Sequence, residues 1–303
     1  MSRVVHEKAL VFPCGGEQLV GVLHVPESGA SRRAVVMVVG GGPQYRSGGH
    51  RQLLLWARQL AAEGHAVLRF DYRGMGDSTG VFGGYATIDE DLRAAIDTLC
   101  RELPETREVV LWGECDATCA ILTYAYRDAR VKGMALQNVF VRTEAGQASA
   151  ILRNYYWQRL MQPSFWRKVV RFEFNPFRSL AEVLGYARKA HAGKTTGKAA
   201  KPAAETGTRL QDALPTDLPL PERLLAGLKR FNGPVQMVLS GRDMVAQEFA
   251  ILVKDSPAWQ AALAEKPTTR HDMPLGDHTF SSAAQRDEVY AQTMAWLRTL
   301  PES

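Results

Sequence analysis

A cysteine with small neighbours stands where a strand should turn into a helix. In Val109-Val110-Leu111-Trp112-Gly113-Glu114-Cys115-Asp116-Ala117-Thr118-Cys119-Ala120, an apolar run leads into Gly-x-Cys-x-Ala and then into helical sequence. A chain that reverses so sharply forces its apex residue into strained backbone geometry. The residues two before and two after the apex must then be small. Gly113 and Ala117 meet that demand, with Cys115 at the apex. Its sulfur is expected at a helix N-terminus, where the macrodipole and free N–H groups favour thiolate. The chemistry predicted is nucleophilic attack. Cys119, one turn further on, has no such surroundings and reads as packing.

Such a nucleophile needs a base and a group that orients the base. Of seven histidines, His278 in Gly276-Asp277-His278-Thr279-Phe280 follows the last strand region and precedes the final helix. It is the candidate base. His271, close by, reads as a strand or surface position. His6, His24, His50 and His65 sit on strands, helices or loops that do not obviously converge with Cys115, and His191 lies in a basic stretch expected in solvent. For the orienting acid, Asp243 in Ser240-Gly241-Arg242-Asp243 follows directly on a strand signal. That is the carboxyl end of a parallel strand, where open α/β sheets collect their sites. Glu248 is the alternative.

The elements that must position these residues are strands alternating with helices. Two β-rich stretches, Val4–Phe12 and Leu19–Val25, flank a turn at Cys14-Gly15-Gly16. The all-apolar run 34–39 reads as a central strand buried on both faces. Leu53, Trp56, Ala57, Leu60 and Ala61 recur at helical spacing, and Gly64 closes that helix. Residues 66–70 form the next strand signal. Thr87-Ile88-Asp89-Glu90 has the pattern of a capping box before a helix that buries Ile88, Leu92, Ala95, Ile96 and Leu99. Strand signals follow at 109–112, 131–136 and 234–239, with a helix over about 116–126 and a last helix capped by Ser282 and Gln285. This alternation implies right-handed βαβ units and a parallel sheet. Between about 142 and 231 the strand signal is missing. There the sequence is helical and rich in aromatics and arginines, with a low-complexity stretch from Gly193 to about Thr208. The expected plan is a core of residues 1–142 and 232–303 interrupted by a helical lid over 143–231, which includes a flexible basic loop at about 191–217.

The elbow and the order Cys115, Asp243, His278 resemble the α/β-hydrolase superfamily over nearly the whole chain outside the lid. The stretch Phe70-Asp71-Tyr72-Arg73-Gly74-Met75-Gly76-Asp77-Ser78 looks like that superfamily's Asp-x-Arg-Gly-x-Gly-x-Ser loop and is assigned a structural role. More narrowly, Gly40-Gly41-Gly42-Pro43-Gln44-Tyr45-Arg46 with His50-Arg51-Gln52, the Gly-Glu-Cys-Asp-Ala elbow, and Val141-Arg142-Thr143-Glu144-Ala145-Gly146 are similar to the exosortase A system-associated hydrolase 1 family. Proteins of that family are linked to bacterial PEP-CTERM sorting and exopolysaccharide clusters. Two departures from the superfamily pattern are the cysteine in place of serine and Ala117 in place of the last elbow glycine. The first resembles dienelactone hydrolases and some thioesterases.

The resemblance implies an α/β-hydrolase fold with a mostly parallel sheet, and hydrolysis of an ester or thioester through an acyl-enzyme. The oxyanion donors are expected to be the N–H of Asp116 and that of Gly41 or Gly42, since Pro43 has none. A cysteine acyl-enzyme is itself a thioester, so acyl transfer is an alternative. A second alternative is a non-catalytic protein of the same fold that binds a partner through its basic lid.

Composition narrows the rest. With 303 residues, 46% hydrophobic and 23% charged, the chain has ordinary globular composition. Four cysteines are too few and too irregular for a disulfide framework. Neither a signal-peptide pattern nor an apolar run near the ~18 residues of a membrane span is found, so a cytoplasmic protein is expected. Residues 151–201 hold eleven Lys/Arg against two Asp/Glu, so the net charge of +5 belongs to that segment alone. It allows peripheral membrane contact. Nucleic acid is not expected, because no binding motif accompanies the charge. No cofactor is expected, and no metal, since Cys115 and Cys119 lack partners at zinc spacing and Gly-Gly-Gly-Pro lacks a P-loop ending. The expected partner is a small-molecule or lipid-linked acyl substrate, with the oligomeric state open.

Overall fold

The computed structural model describes residues 5–27, 29, 32–42, 44–141 and 214–301. Strands β1 (Val5–Cys14) and β2 (Glu17–Pro26) form a hairpin whose two-residue turn, Gly15-Gly16, is left-handed at both positions. The chain continues through β3 (Arg33–Val38), α1 (Gln52–Ala62), β4 (Ala66–Asp71), α2 (Asp89–Glu102) and β5 (Glu108–Glu114). Then come α3 (Ala117–Tyr124), β6 (Val131–Gln137), α4 (Leu220–Arg230) and β7 (Val235–Ser240). Helices α5 (Met244–Asp255) and α6 (Pro257–Ala264), β8 (Thr268–Met273) and α7 (Ala283–Thr299) complete it.

All eight strands form one sheet in the order β1-β2-β4-β3-β5-β6-β7-β8. β2 runs antiparallel to β1 and β4, and every other neighbouring pair is parallel. The central strands β4, β5 and β7 are buried along their whole length, which is why they read as continuous apolar runs rather than alternating ones. At the edge, β8 carries Arg270 and Asp272, whose ion pair of 2.9 Å puts charge where another strand would otherwise pair.

Helix α1 ties the two ends of the chain to the centre of the sheet. Its buried face is the one the spacing predicts, Leu53, Trp56, Ala57, Leu60 and Ala61. The Trp56 ring lies 5.1 Å from that of Trp112 on β5 and 6.4 Å from that of Phe280, and its Nε1 donates to the Arg286 carbonyl at 3.0 Å.

The capping box expected at Thr87 does not form. A 3-10 turn, Tyr85–Thr87, runs into α2, and the Thr87 hydroxyl donates back to the Gly84 carbonyl at 3.1 Å instead of capping the helix. Asp89, Glu90 and Asp91 in the first turn of α2 complement the helix dipole in its place. At α7, Ser282 does accept from the Gln285 N–H at 3.3 Å, but the Gln285 side chain turns away to serve the loop before it.

Most of the lid expected over 143–231 lies outside the described residues, as do its aromatic run and nearly all of the basic loop. Within the remainder, α4 seats Leu224 and Leu228 in the core against α3. Gly227 permits the approach: a Cβ there would lie 2.0 Å from the Leu122 carbonyl oxygen. Alanine in a helix interior gains about 1 kcal/mol over glycine. Here the clash is with backbone, so the steric cost of about 1–3 kcal/mol wins. Gly227→Ala should therefore lower the urea midpoint; a midpoint at or above wild type would mean that α4 is not held against α3.

Candidate active site

Strands β3 and β5 are neighbours, but β4 continues from β3 on one side and β6 from β5 on the other. Loops leaving their carboxyl ends diverge there and open a crevice. Cys115 follows β5 at that point with φ of 56°, a left-handed conformation that costs a residue with a Cβ about 1–3 kcal/mol. The cost is met by its surroundings. The Cys115 N–H donates to the Gln137 carbonyl at 3.0 Å, and its carbonyl accepts from the Thr118 N–H at 3.0 Å and the Thr118 hydroxyl at 2.5 Å. A Cβ on Gly113 would stand 2.6 Å from Ile121 Cδ1 and 3.1 Å from Ala117 Cβ, so α3 can start here only after a glycine. Cys119 is buried and donates to the Phe140 carbonyl at 3.1 Å, a packing position.

His278 and Asp243 converge on Cys115 from the far end of the chain. The imidazole Nδ1 lies 2.9 Å from Asp243 Oδ2, and the Cys115 side chain is the ring's other interaction partner. Asp243 is also the N-cap of α5: its carboxylate accepts from the N–H groups of Val245 at 3.1 Å and Ala246 at 3.2 Å. Helix α5 thus fixes the acid's orientation. The Asp243 hydrogen bond, then that to Cys115, pushes the His278 imidazole up to about 10 against the effect of burial. The imidazole partner is Asp243 and not Glu248.

The loop bearing His278 is held at several points. Asp277 accepts from the N–H groups of Thr279 at 3.2 Å and Ser281 at 3.0 Å, and Ser240 Oγ donates to its carbonyl at 2.9 Å. Phe280 is left-handed at φ 47° and buried against Trp56, linking the loop to α1. Asn138, after β6, accepts from the Ser240 N–H at 2.8 Å and donates to the His278 carbonyl at 2.9 Å. One side chain therefore sets both the acid-bearing and the base-bearing loop. Its signal in the sequence is the polar pair Gln137-Asn138 closing an apolar strand, which was not read as functional.

Across the crevice, Gly41 and Gly42 are left-handed at φ 85° and 84°. Gln44 Nε2 holds the carbonyls of Gly40 at 2.7 Å and Gly41 at 3.3 Å. The loop lies so close to the elbow that a Cβ on Gly40 would stand 2.1 Å from the Glu114 carbonyl oxygen. Behind it, Asp71 accepts from the Arg46 N–H at 2.5 Å and pairs with the Arg46 guanidinium, which also lies 2.8 Å from Asp77. The Asp71–Ser78 stretch is thus the buttress of the glycine loop. The N–H groups expected to receive an oxyanion already have a partner, because the Asp116 carboxylate accepts from Gly41 N–H at 2.5 Å. Burial pushes the Asp116 carboxyl up, while the N–H groups of Gly41, Gly42, Ala117 and Asp116 around it favour its charge.

The other histidines have separate places. His24 is buried beside Arg69, whose Nε donates to it at 2.9 Å, and burial pushes it down to about 4. His271 Nε2 lies 2.7 Å from Glu288 on α7. His50 belongs to a turn that abuts the His278 loop, with Gly49 beside Thr279. His191 lies outside the described residues. Among the described residues, no group of three or more His, Cys, Asp or Glu is placed to hold a metal ion.

Glu114, immediately before the cysteine, was also missed, although a carboxylate closing an apolar strand is a visible signal. It is buried; its Oε2 accepts from Gln52 Nε2 at 2.7 Å, and its Oε1 has no partner among the described residues. Burial pushes the carboxyl up to about 8. A carboxyl raised in the folded state binds its proton more tightly there than in the unfolded chain. Wild type should therefore lose melting temperature relative to Glu114→Gln as pH rises from about 4.5 to about 8. A constant difference between the two proteins across that range would contradict this protonation state.

Comparison with known proteins agrees with this architecture. A profile for the "Alpha/beta hydrolase family" matches residues 35–293. Among solved structures, an esterase of Pyrococcus furiosus superposes with a TM-score of 0.62 at 12% identity, over 97% of this chain and 91% of that one. A cold-adapted esterase from an Arctic intertidal metagenomic library gives 0.56 at 18% identity, over 99% and 100%. Mouse alpha/beta hydrolase domain-containing protein 10 gives 0.55 at 13%, over 96% and 98%. No curated protein sequence matches. The eight-stranded sheet, the switch-point crevice and the profile covering most of the chain make this protein a member of the α/β-hydrolase family.

Proposed function

We propose that the protein hydrolyses an ester or thioester with Cys115 as nucleophile, His278 as acid–base and Asp243 as the group that orients it. One observation carries this reading: a cysteine held at a left-handed apex interacts with an imidazole whose Nδ1 lies 2.9 Å from a helix-capping carboxylate. The pair holds a proton on the imidazole at neutral pH. The Cys115 sulfur bonds to the carbonyl carbon, and the carbonyl electron pair moves onto oxygen, which the N–H groups of Asp116 and of Gly41 or Gly42 receive. The bond to the leaving group then breaks as His278 returns its proton to that group. Water, activated by the neutral imidazole, releases the acid. A thiol or amine taking the place of water would make the same enzyme an acyltransferase.

The substrate is a small-molecule or lipid-linked acyl compound. The likeness of the 40–52 stretch and the elbow to exosortase-associated hydrolases supports a place beside exopolysaccharide or protein-sorting systems. The four cysteines are free, which fits a reducing cytoplasm. No helix among the described residues is long and apolar enough to cross a membrane.

Activity is tested with p-nitrophenyl and acyl-CoA esters of graded chain length. Cys115→Ala should lose about a thousandfold or more in kcat. Asp243→Asn keeps a good N-cap and removes the charge, so kcat should fall by about a hundredfold or more while stability changes little. Iodoacetamide should label Cys115 far faster than Cys100; equal, slow labelling with unchanged turnover in Cys115→Ala would leave a binding protein of the same fold. Proton linkage gives a separate check. The folded-state pKa of His278 is raised from 6.5 to about 10, so its contribution to stability is complete below pH 6.5 and lost as pH rises through about 10. The melting temperature of wild type minus that of His278→Ala should accordingly be larger at pH 6 than at pH 10.

A further inference from the structure

The carboxylate of Asp116 sits where the reaction needs an oxygen atom of the substrate. Its Oδ1 lies 2.5 Å from Gly41 N and 2.8 Å from the point where a Cβ of Gly40 would stand. Burial pushes the Asp116 carboxyl up, and the neighbouring N–H groups of Gly41, Gly42, Ala117 and Asp116 act against it. The site is built for this contact. Two left-handed glycines shape the loop, Gln44 pins its carbonyls, and the missing side chain of Gly40 makes room for the elbow. Asp116 is only half-buried, so its carboxylate is not locked in the core.

An oxyanion cannot share these donors with a carboxylate, since two like charges would meet at hydrogen-bond distance. The carboxylate must leave as the acyl oxygen arrives. The displaced carboxylate then needs another donor, and because Asp116 directly follows the nucleophile, a donor on the carbon beside the reacting carbonyl is placed to supply it.

We propose that Asp116 is a specificity-determining residue: its carboxylate occupies the oxyanion donors at rest, and acyl groups bearing a hydroxyl or ammonium on the carbon beside the carbonyl are preferred because they receive it when displaced. This rests on the reading of Cys115 as nucleophile. During acylation the sulfur–carbon bond forms, the carbonyl electrons pass to the oxygen on the vacated N–H groups, and the leaving alkoxide departs with the His278 proton. Asp116 neither gains nor loses a proton. The Gly41 N–H exchanges a carboxylate for an oxyanion, and the substrate hydroxyl replaces it at the carboxylate.

The test compares kcat/KM for phenyl lactate and phenyl propionate, esters that differ by one hydroxyl beside the carbonyl. Wild type should favour the lactate by roughly tenfold or more, the worth of one hydrogen bond to a charged group. Asp116→Ala should bring that ratio close to one, chiefly by speeding propionate hydrolysis. Asp116→Asn, which keeps the shape without the charge, should fall between and carries the comparison if the alanine variant unfolds. Iodoacetamide alkylation, which forms no oxyanion, should change less than propionate hydrolysis does. Equal wild-type rates on the two esters, or a ratio unmoved by either substitution, would overturn the role of Asp116. Cys115→Ala separates the two readings. If that variant still hydrolyses the esters, or if no protein in the series does, the nucleophile reading falls as well.

Discussion

The left-handed backbone at Cys115 is the constraint on which the rest of the site depends. A strand buried on both faces cannot turn directly into a helix unless one residue takes a conformation that its Cβ resists. That residue projects from the carboxyl end of the sheet instead of into either helical layer. The same turn requires glycine at 113 and leaves room only for a small side chain at 117. It also brings the start of α3 against the glycine loop after β3. The placing of the cysteine at the end of the sheet, the helix N-terminus beneath it and the proximity of the loop N–H groups are three results of one backbone reversal.

The charges are arranged around a single imidazole. Asp243, Glu114 and Asp277 approach His278 or its loop, and Asp116 lies on the other side of the sulfur. Asp243, and after it Cys115, make the histidine hold its proton firmly against the effect of burial. Different physical means keep the carboxylates from repelling one another. Asp243 and Asp277 accept backbone N–H groups of a helix or a tight loop, and Asp116 accepts those of the glycine loop. Glu114, which accepts from the Gln52 amide and has no backbone donor among the described residues, responds to burial by keeping its proton into the neutral range. Backbone donors hold charge in place, whereas burial without them removes it.

Much of this was legible in the sequence because it depends on local sterics and strand order. The elbow reads from Gly113 and Ala117, and Asp243 and His278 read from their places after strand signals. The choice of Asp243 over Glu248 stays open in the sequence, since both follow the same strand signal, and is settled by the 2.9 Å approach of Asp243 to the imidazole. What was not legible depends on contacts between distant segments. Nothing near Asn138 says that it bridges Ser240 and the His278 carbonyl, and nothing near Gln52 says that it meets Glu114. Asp116 was read only for its N–H, because a backbone donor follows from position whereas a side chain's rotamer depends on the facing loop. Thr87 failed for a related reason: its capping pattern is local, but the turn preceding it offered the hydroxyl a nearer acceptor.

Precision at the site comes from ties that bypass the chain. Cys115 and His278 are separated by 163 positions in the sequence, yet two routes connect them. The apolar one runs from Trp112 through Trp56 to Phe280, rings in contact from β5 to the loop of the base. The polar one runs from β6 through Asn138 to Ser240 and the His278 carbonyl. The first resists separation of the layers but tolerates small slides, because apolar contact has no preferred direction. The second is directional and fixes the height of the loop above the sheet. A sulfur and an imidazole that must meet within a hydrogen bond's length need both kinds of restraint, one to hold the loop down and one to set where it stands.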